Sequence, residues 1–306
     1  MTQHLALVGP TASGKSAVAM AVAHARRDVE IVSVDSMQVY RGLDIGTAKA
    51  TRAERAVVPH HLVDVADPSD EWSVVRFQRE ARAAIADIEQ RGKRALLVGG
   101  TGLYVRAVVD PLEFPPRDLD LRDAIHTELD DPDVLARAHD ELAARDPVTA
   151  SRIEPGNRRR LARVLEVERL TGRSFSSFGT GLQKYGAPVV PVSLVGLWMP
   201  RVQLTRRIEA RVVAMYDAGL VEEAVAVREE AGLSRTAEQG IGYQEALAHH
   251  DGALPIGDAI ERTTARTRAF ARRQRMWFRR DPRITWLATA DNPCLTVPAL
   301  LALWSS

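Results

Sequence analysis

The feature that most constrains this sequence is a glycine-rich loop placed between a strand-like segment and a helix-like segment. Residues 9–16 read Gly-Pro-Thr-Ala-Ser-Gly-Lys-Ser and match the pattern G-x-x-x-x-G-K-[ST]. The apolar run His4–Val8 precedes the loop, and a helical pattern extends from about Gly14 to Arg26. A strand, a loop of this pattern and a helix in that order predict a phosphate-binding loop (P-loop).

The chemistry of this loop follows from its backbone. Glycines let the chain curl so that successive N–H groups and the helix N-terminus point at phosphate oxygens. Lys15 adds a mobile positive charge, and the Ser16 hydroxyl is placed to ligate Mg²⁺. The residues predicted to bind a di- or triphosphate are Gly9, Pro10, Thr11, Ala12, Ser13, Gly14, Lys15 and Ser16. The motif identifies neither a nucleotide nor the bond that breaks, and a glycine-rich turn without a ligand is the alternative.

Apolar runs and helical patterns alternate along the first third of the chain. Strands are predicted at Glu30–Val34 and Ala95–Val98, and a helix is predicted from about Trp72 to Arg91 with Ser69 or Asp70 as its cap. Alternation of this kind is typical of a parallel sheet covered by helices.

A different pattern begins near Pro111, where polar, charge-rich helical segments replace β-branched runs and continue to about Gly181. Strand character returns at Val189–Trp198, and two helices follow, from about Val202 to Glu230 and from about Gly257 to Arg280. We therefore predict an α/β fold, with a P-loop NTPase-like parallel sheet core and an all-helical insertion domain. The predicted boundaries are 1–116 for the first part of the core, 117–193 for the insertion and 194–306 for the second part of the core.

Composition bounds the class of protein and its partners. No stretch approaches the ~18 uninterrupted apolar residues of a membrane-spanning helix, and no signal-peptide pattern is present, so a cytoplasmic protein is expected. The only cysteine is Cys294, which excludes an internal disulfide. The net charge is only +1, yet seven Arg fall within 151–173 and nine within 257–283. These tracts indicate a polyanionic partner bound at defined places, with solvated helix faces as the alternative.

A candidate acid–base group follows the second predicted strand. Asp35 stands where a P-loop kinase or NTPase carries an acidic residue that binds Mg²⁺ or acts as a base. Asp35, Ser36 and Gln38 offer an acceptor, a hydroxyl and an amide, the inventory needed to read the hydrogen-bonding edge of a base. A simple Asp-Ser turn or cap is the alternative.

A second glycine loop, Gly99-Gly100-Thr101-Gly102, follows the third predicted strand. Ligands of open α/β sheets bind beyond the carboxyl ends of the strands. We therefore expect residues 9–16, Asp35 and Thr101 to converge on one crevice. The glycines alone would also fit a flexible strand-to-helix loop.

Together, these motifs resemble those of the tRNA dimethylallyltransferases, also called tRNA isopentenyltransferases. The resemblance runs almost from end to end, and its most specific part is the block at 35–49, Asp-Ser-Met-Gln-Val-Tyr followed by Ile-Gly-Thr-Ala-Lys. Other matching segments are 9–16, His60-His61-Leu62, 99–104, 157–166, 207–211, 240–244 and 266–279. Ala50 and Gln239-Gly240 depart from the family pattern, and the zinc-finger extension of eukaryotic relatives is missing, as expected of a bacterial form.

The resemblance implies a transfer reaction on a P-loop core with a helical insertion. The dimethylallyl group of dimethylallyl diphosphate would pass to the N6 amine of the adenine immediately 3′ of the anticodon, in tRNAs that read codons beginning with U. Asp35 would accept the proton of the amine, and Thr101 would position the diphosphate or the base. Lys15, the loop amides, Arg211 and Mg²⁺ bound by Ser16 would stabilise the leaving diphosphate.

The resemblance also implies that the adenine is flipped out of the anticodon loop, at a cost of a few kcal/mol that contacts to the RNA must offset. The helix around 262–280 would supply some of these contacts. The other implied tRNA-binding residues are Asp35, Ser36, Met37, Gln38 and Thr101; Arg122, Arg159, Arg160, Leu161, Ala162 and Arg163; and Gln239, Gly240, Ile241, Gly242, Tyr243 and Gln244. A monomer is expected.

Two other functions remain compatible with the motifs. A small-molecule or nucleoside kinase using ATP would need the same P-loop and a following acid. A regulatory RNA-binding NTPase would use its phosphate ligand to control its affinity for RNA. Against the kinase, the arginines lie in long helical segments instead of a compact lid near the loop.

Overall fold

The computed structural model describes residues 3–178, 182 and 184–305. The chain divides into two compact units. The core unit comprises Met1–Asp110 and Tyr185–Ser306, and the insertion unit comprises Pro111–Lys184. No helix in the described ranges is both long and apolar enough to cross a lipid bilayer.

A parallel sheet forms the centre of the core unit. Its strands are β1 (His4–Val8), β2 (Val29–Val34), β3 (His60–His61), β4 (Arg94–Gly99), β5 (Val192–Trp198) and β6 (Thr285–Ala288). Their order is β3-β2-β4-β1-β5-β6, and every pairing is parallel. The carboxyl ends of β2, β4 and β1 therefore lie side by side, which is where a ligand of such a sheet binds.

Helices of the core unit cover both faces of this sheet, whereas α5–α8 belong to the insertion unit. In chain order the helices are α1 (Lys15–Ala25), α2 (Arg52–Val57), α3 (Val74–Gln90), α4 (Gly102–Val109), α5 (Leu119–Glu128), α6 (Pro132–Arg145), α7 (Pro147–Ala150), α8 (Arg158–Thr171), α9 (Arg201–Asp217), α10 (Leu220–Glu230), α11 (Tyr243–His250), α12 (Ile256–Phe278) and α13 (Val297–Ser305). Ala6 and Val8 of β1 pack in the larger apolar cluster, with α3, α4 and α9–α12. Leu5 and Leu7 pack on the opposite face, with α1 and α13. Burial of both faces explains why the central strands β1 and β4 are almost continuously apolar.

Two sequence-based boundaries in the core unit were wrong. The segment from about Val202 to Glu230 is two helices, because Gly219 adopts a φ of 98° and separates α9 from α10. The cap of α3 is Ser73, whose side chain accepts a hydrogen bond from the Arg76 N–H, and not Ser69 or Asp70.

The insertion unit is helical and has an apolar cluster of its own. The helices α5–α8 bury Ile125, Leu142 and Leu161 completely. The compact unit spans 111–184, whereas the sequence-based insertion spanned 117–193. The residues after 184 join the core unit instead: the Val189 N–H donates to the Val109 carbonyl at the end of α4, and the His4 N–H of β1 donates to the Pro191 carbonyl. Gly181, the predicted end of the helical segment, lies outside the described residues.

Candidate active site at the carboxyl edge of the sheet

The P-loop connects β1 to α1 at the carboxyl edge of the sheet. Gly14 is the N-cap of α1 and has no side chain to cap it, so the first backbone N–H groups of α1 stay available to a ligand. Its φ is 90°, and a Cβ there would lie 2.4 Å from Cγ of Pro293, so only glycine fits. The Lys15 ammonium donates to the Pro10 carbonyl at 2.7 Å.

Two cations and one carboxylate surround this loop. Burial, together with the positive charge of Arg211, lowers the pKa of Lys15 to about 7, and Asp35 acts in the opposite direction. Burial also lowers the pKa of Arg211, again opposed by Asp35. One guanidinium nitrogen of Arg211 donates to the Thr11 hydroxyl at 3.2 Å. A bound anion would stabilise both cations, so the loop is electrostatically suited to a diphosphate.

The Asp35 carboxylate is held by one oxygen. Oδ1 accepts hydrogen bonds from the backbone N–H of Met37 at 2.8 Å and of Gln38 at 3.4 Å. Oδ2 has no hydrogen-bond partner in the described part of the chain. The turn therefore fixes the orientation of the carboxylate and leaves its second oxygen able to accept a proton.

Two cavities of the core unit meet at Asp35. The phosphate-side cavity has a volume of about 950 Å³ and is lined by the P-loop, including Lys15 and Ser16. The second cavity has a volume of about 520 Å³ and is lined by Ser36, Met37 and Thr101. Six residues line both cavities: Thr11, Asp35, Thr47, Arg211, Met215 and Phe270. We call these six residues the junction.

The structure gives Gln38 a different position from the one expected of a base-reading amide. Its Oε1 accepts from the Ser33 hydroxyl at 2.8 Å, and its Nε2 donates to the Thr47 carbonyl at 3.1 Å. Both functional groups of the amide are thus used inside the protein. Thr101 differs, because it precedes α4 as the N-cap without making a side-chain capping bond, and its hydroxyl has no hydrogen-bond partner among residues 3–178, 182 and 184–305.

The segment 239–244 lines the second cavity through Gln239, Gly240, Ile241, Tyr243 and Gln244, and Gly242 is the N-cap of α11. Tyr243 is only 1% exposed, and its hydroxyl donates to Glu223 at 2.7 Å. Burial, followed by the Glu223 carboxylate, raises the pKa of Tyr243. The hydroxyl of Tyr243 is therefore bonded inside the protein, and a contact between this residue and RNA stays a prediction.

The insertion residues also separate into buried and exposed side chains. Leu161 and Ala162 are completely buried, so a contact of these two residues with RNA would have to come from their backbone. Arg163 donates to the carbonyls of Pro115 and Pro116 and pairs with buried Glu166, and Arg122 lies 3.7 Å from the same carboxylate. Arg159 and Arg160 remain exposed on α8.

Sequence reasoning missed several residues that shape the site. Glu223 of α10 accepts hydrogen bonds from three successive backbone N–H groups, at 44, 45 and 46, and so fixes the loop that carries Thr47. Arg207 of α9 donates to the Ala12 carbonyl of the P-loop at 2.9 Å. Gln274 of α12 bonds the P-loop directly. All three contacts join residues far apart in the sequence, and the only sequence signal was that Arg207 and Gln274 fall within family motifs.

Comparison with known proteins gives consistent matches. The profile of the family described as IPP transferase matches residues 38–281, and that described as isopentenyl transferase matches residues 2–59. A tRNA dimethylallyltransferase of Kineococcus radiotolerans is 50% identical over 297 residues, covering 94% of this chain and 91% of the relative. Another, from Bifidobacterium longum, is 45% identical over 305 residues, covering 98% and 90%.

Two solved structures resemble the whole chain. The tRNA isopentenylpyrophosphate transferase of Bacillus halodurans has a TM-score of 0.70 and 36% identity, covering 99% of this chain and 97% of the other. A eukaryotic dimethylallyltransferase described as acting on tRNA has a TM-score of 0.81 and 29% identity, covering 99% of this chain and 78% of the other. The profile match over most of the chain and relatives of 45–50% identity establish the family. This chain belongs to the tRNA dimethylallyltransferase family.

Proposed function

We propose that this protein transfers a dimethylallyl group from dimethylallyl diphosphate to the N6 amine of the adenine 3′-adjacent to the anticodon, in tRNAs reading codons that begin with U. Diphosphate is released. The observation that carries the proposal is the junction, where the phosphate-side cavity and the second cavity meet beside an available oxygen of Asp35. A reaction between two bound substrates needs a place where their reacting atoms come together.

The donor binds with its diphosphate on the P-loop. The N-terminal amides of α1, Lys15 and Arg211 surround that position and neutralise charge as the bond between the allylic carbon and oxygen breaks. Met215 and Phe270 are the apolar side chains of the junction, and they offer an apolar wall to the five-carbon group.

A Mg²⁺ ion fits the residues present around the P-loop. The exposed Ser16 lines the cavity, and the described residues contain no cluster of three or more His, Cys, Asp or Glu side chains that could enclose a metal. Mg²⁺ is held by few protein ligands when a diphosphate and water supply the rest, and Ser16 would hold it here. When bound, the ion supplies positive charge to the leaving diphosphate.

The acceptor amine enters from the second cavity. The N6 nitrogen forms a bond to the allylic carbon as the bond to the diphosphate oxygen breaks, and N6 must lose one proton. Asp35 Oδ2 accepts that proton and later releases it to water. The Thr101 hydroxyl orients the base or the diphosphate from the β4 side.

Exposed arginines, together with the partly exposed Arg275, supply affinity for the RNA backbone. A groove of the core unit between α9 and α12 is lined by Arg201, Arg268, Arg272, Arg275 and Arg279. Arg268 approaches Glu209 at 3.6 Å, and the other four have no carboxylate within 4.0 Å in the described ranges. With Arg159 and Arg160 of α8, these side chains offset the cost of flipping the adenine, which is a few kcal/mol.

The catalytic junction lies within the core unit of one chain, which supports a monomer as the active form. The tRNA substrate favours action in the cytoplasm. The matches to tRNA dimethylallyltransferases favour prenylation over a kinase, although the P-loop itself can hold ATP.

A dual-label assay separates the candidates. The protein is incubated with Mg²⁺, unmodified tRNA, dimethylallyl diphosphate carrying label in the isoprenoid and ATP labelled in its γ-phosphate. We expect isoprenoid label in the tRNA at the adenine 3′ of the anticodon, and no phosphate transfer. Transfer of the γ-phosphate without prenylation would support the kinase, and binding of RNA without either product would support a regulatory protein.

A further inference from the structure

Gln274 lies in the arginine-rich part of α12, yet its own side chain is buried, with 6% exposed. The neighbouring Arg272 and Arg275 line the exposed groove. A buried, uncharged and hydrogen-bonding side chain in such a helix has a role inside the protein, because burying an amide costs free energy unless both its groups are bonded.

The amide of Gln274 bridges two loops of the active site. Its Oε1 accepts from the Thr11 N–H of the P-loop at 2.8 Å, and its Nε2 donates to the Gly100 carbonyl at 3.0 Å. A carboxamide can accept from one backbone group and donate to another at the same time; carboxylate, ammonium and apolar side chains cannot. The P-loop and the loop that carries Thr101 are thereby joined through one side chain.

The second loop is shaped to allow this bridge. A Cβ at Gly100 would lie 2.2 Å from Nε2 of Gln274, and a Cβ at Gly102 would lie 2.1 Å from Cδ1 of Trp277. Residues 274 and 277 occupy adjacent positions on one face of α12. The glycines therefore permit α12 to contact the loop directly, which explains a glycine pattern that the phosphate chemistry alone does not require.

The bridge also reaches the charged part of the site. Thr11 is bonded through its N–H to Gln274 and through its hydroxyl to Arg211. A shift of Thr11 would consequently move both the P-loop backbone and the guanidinium beside Asp35. Small displacements matter here, since misplacing a reacting group by about 1 Å can cost about 10²-fold in rate.

We propose that Gln274 is a positioning residue for the transfer reaction: it fixes the diphosphate cradle relative to Thr101 before either substrate binds. The proposal rests on the proposed function. It assigns to Gln274 an effect on turnover and on use of the donor, whereas a residue that only stabilised the fold would change stability alone.

Two variants test this role. Gln274→Met keeps the length of the side chain and removes both hydrogen bonds, and we expect kcat/KM for the donor to fall by about 10- to 100-fold while the Kd for tRNA changes less than about twofold. Gln274→Glu keeps an acceptor for Thr11 but turns an oxygen toward the Gly100 carbonyl. Only the protonated carboxyl can donate there, and burial beside a carbonyl favours that form.

The pH profile of Gln274→Glu is therefore diagnostic. Lys15, Asp35 and Arg211 line the same cavity, so activity is expressed relative to wild type at each pH, which divides out ionisations common to both proteins. We expect this ratio to rise at least about fivefold as pH falls from 8.5 to 6, and the ratio for Gln274→Met to stay flat. The Gln78→Met variant loses a comparable bond, to the Ala107 carbonyl at 2.8 Å, and should keep wild-type kcat.

The outcomes separate the two proposals. If wild type prenylates tRNA but Gln274→Met turns over within about twofold of it, the positioning role is wrong and the proposed function stands. Should Gln274→Met fail to fold, a flat ratio for Gln274→Glu overturns the role just as well. If wild type itself does not prenylate tRNA, the proposed function fails first.

Discussion

Arg211 in the core unit and Arg159 in the insertion unit have the same side chain in very different surroundings. Arg211 lines both cavities and bonds the Thr11 hydroxyl, and burial lowers its pKa. Arg159 is exposed on α8 and has no carboxylate partner in the described part of the chain. The difference is between a buried charge suited to chemistry, as at Arg211, and an exposed charge suited to binding RNA, as we propose for Arg159 and for the groove between α9 and α12.

The free energy of a charged side chain differs between these two surroundings. Burying a cation costs free energy unless an anion or a hydrogen bond compensates the charge. A bound diphosphate would therefore stabilise the charged forms of Arg211 and Lys15. An exposed arginine loses little on folding and contributes to RNA binding through release of counterions, which depends on salt. Variants in the two units should therefore change different measured quantities.

The largest effect is expected for Asp35→Asn. The asparagine oxygen can still accept from the Met37 N–H, so the turn is preserved, but the amide cannot accept a proton at Oδ2. We expect kcat to fall by about 10²–10⁴-fold, with the Kd of the donor and of tRNA within several-fold of wild type. Near-normal kcat in rapid-quench assays would remove Asp35 from the role of base.

A smaller effect follows from the ionisation of Lys15. Its pKa in the free protein is lowered to about 7, so the lysine becomes increasingly neutral as pH rises above 7, and binding a diphosphate must then restore its proton. We expect the donor Kd, measured by calorimetry without RNA, to weaken by up to about tenfold per pH unit between pH 7 and 9, with proton uptake from the buffer.

Lys15→Arg is the matched control for that prediction, because arginine stays charged throughout this range. The slope of Kd against pH should disappear in this variant even if its absolute affinity differs. A wild-type Kd that is constant from pH 7 to 9 would contradict the account of the buried cations.

Glu223→Gln tests whether the loop that carries Thr47 is held in place before the substrates bind. The carboxylate accepts from three backbone N–H groups of the loop that carries Thr47, and charged hydrogen bonds contribute about 1.5–3 kcal/mol each. We expect a lower melting temperature and a fall of about 3- to 10-fold in kcat. Glu222→Gln, an exposed neighbour on α10, should change neither quantity; equal effects of both variants would show that the contact with the loop does not matter.

The smallest effect is expected in the insertion unit. Arg159→Ala should weaken tRNA binding a few-fold and reduce the slope of log Kd against log salt by about 0.7–0.9, with kcat unchanged. Arg169→Ala is the control on the same helix, because Arg169 is already paired with Glu128 through two hydrogen bonds. Filter-binding assays over a range of salt concentrations give this slope. The same slope of log Kd against log salt in both variants would contradict a role of Arg159 in binding RNA.

The parts of the site that sequence predicts are those set by local spacing. The P-loop and Asp35 follow a strand directly, Thr101 follows β4 after one residue, and parallel strands bring their carboxyl ends to one edge. Their convergence around the junction was therefore accessible from β1, β2 and β4 alone.

Contacts between distant segments were not accessible in the same way. Gln274 meets Thr11 across 263 positions of sequence, and no local pattern reports such a pair. A match to a family motif also does not distinguish a residue that packs in the core from one that contacts RNA. Leu161 and Tyr243 illustrate this, since both fall within family motifs and both are buried.

The central claim is that donor and acceptor meet at Asp35. A crystal structure of the protein with an unreactive thio-diphosphate analogue of the donor and an anticodon stem-loop tests it most directly. We expect the diphosphate on the backbone N–H groups of the P-loop, and the flipped adenine with N6 within about 3 Å of Asp35 Oδ2. A base bound away from Asp35, or an analogue with its apolar end in the P-loop, would contradict the account.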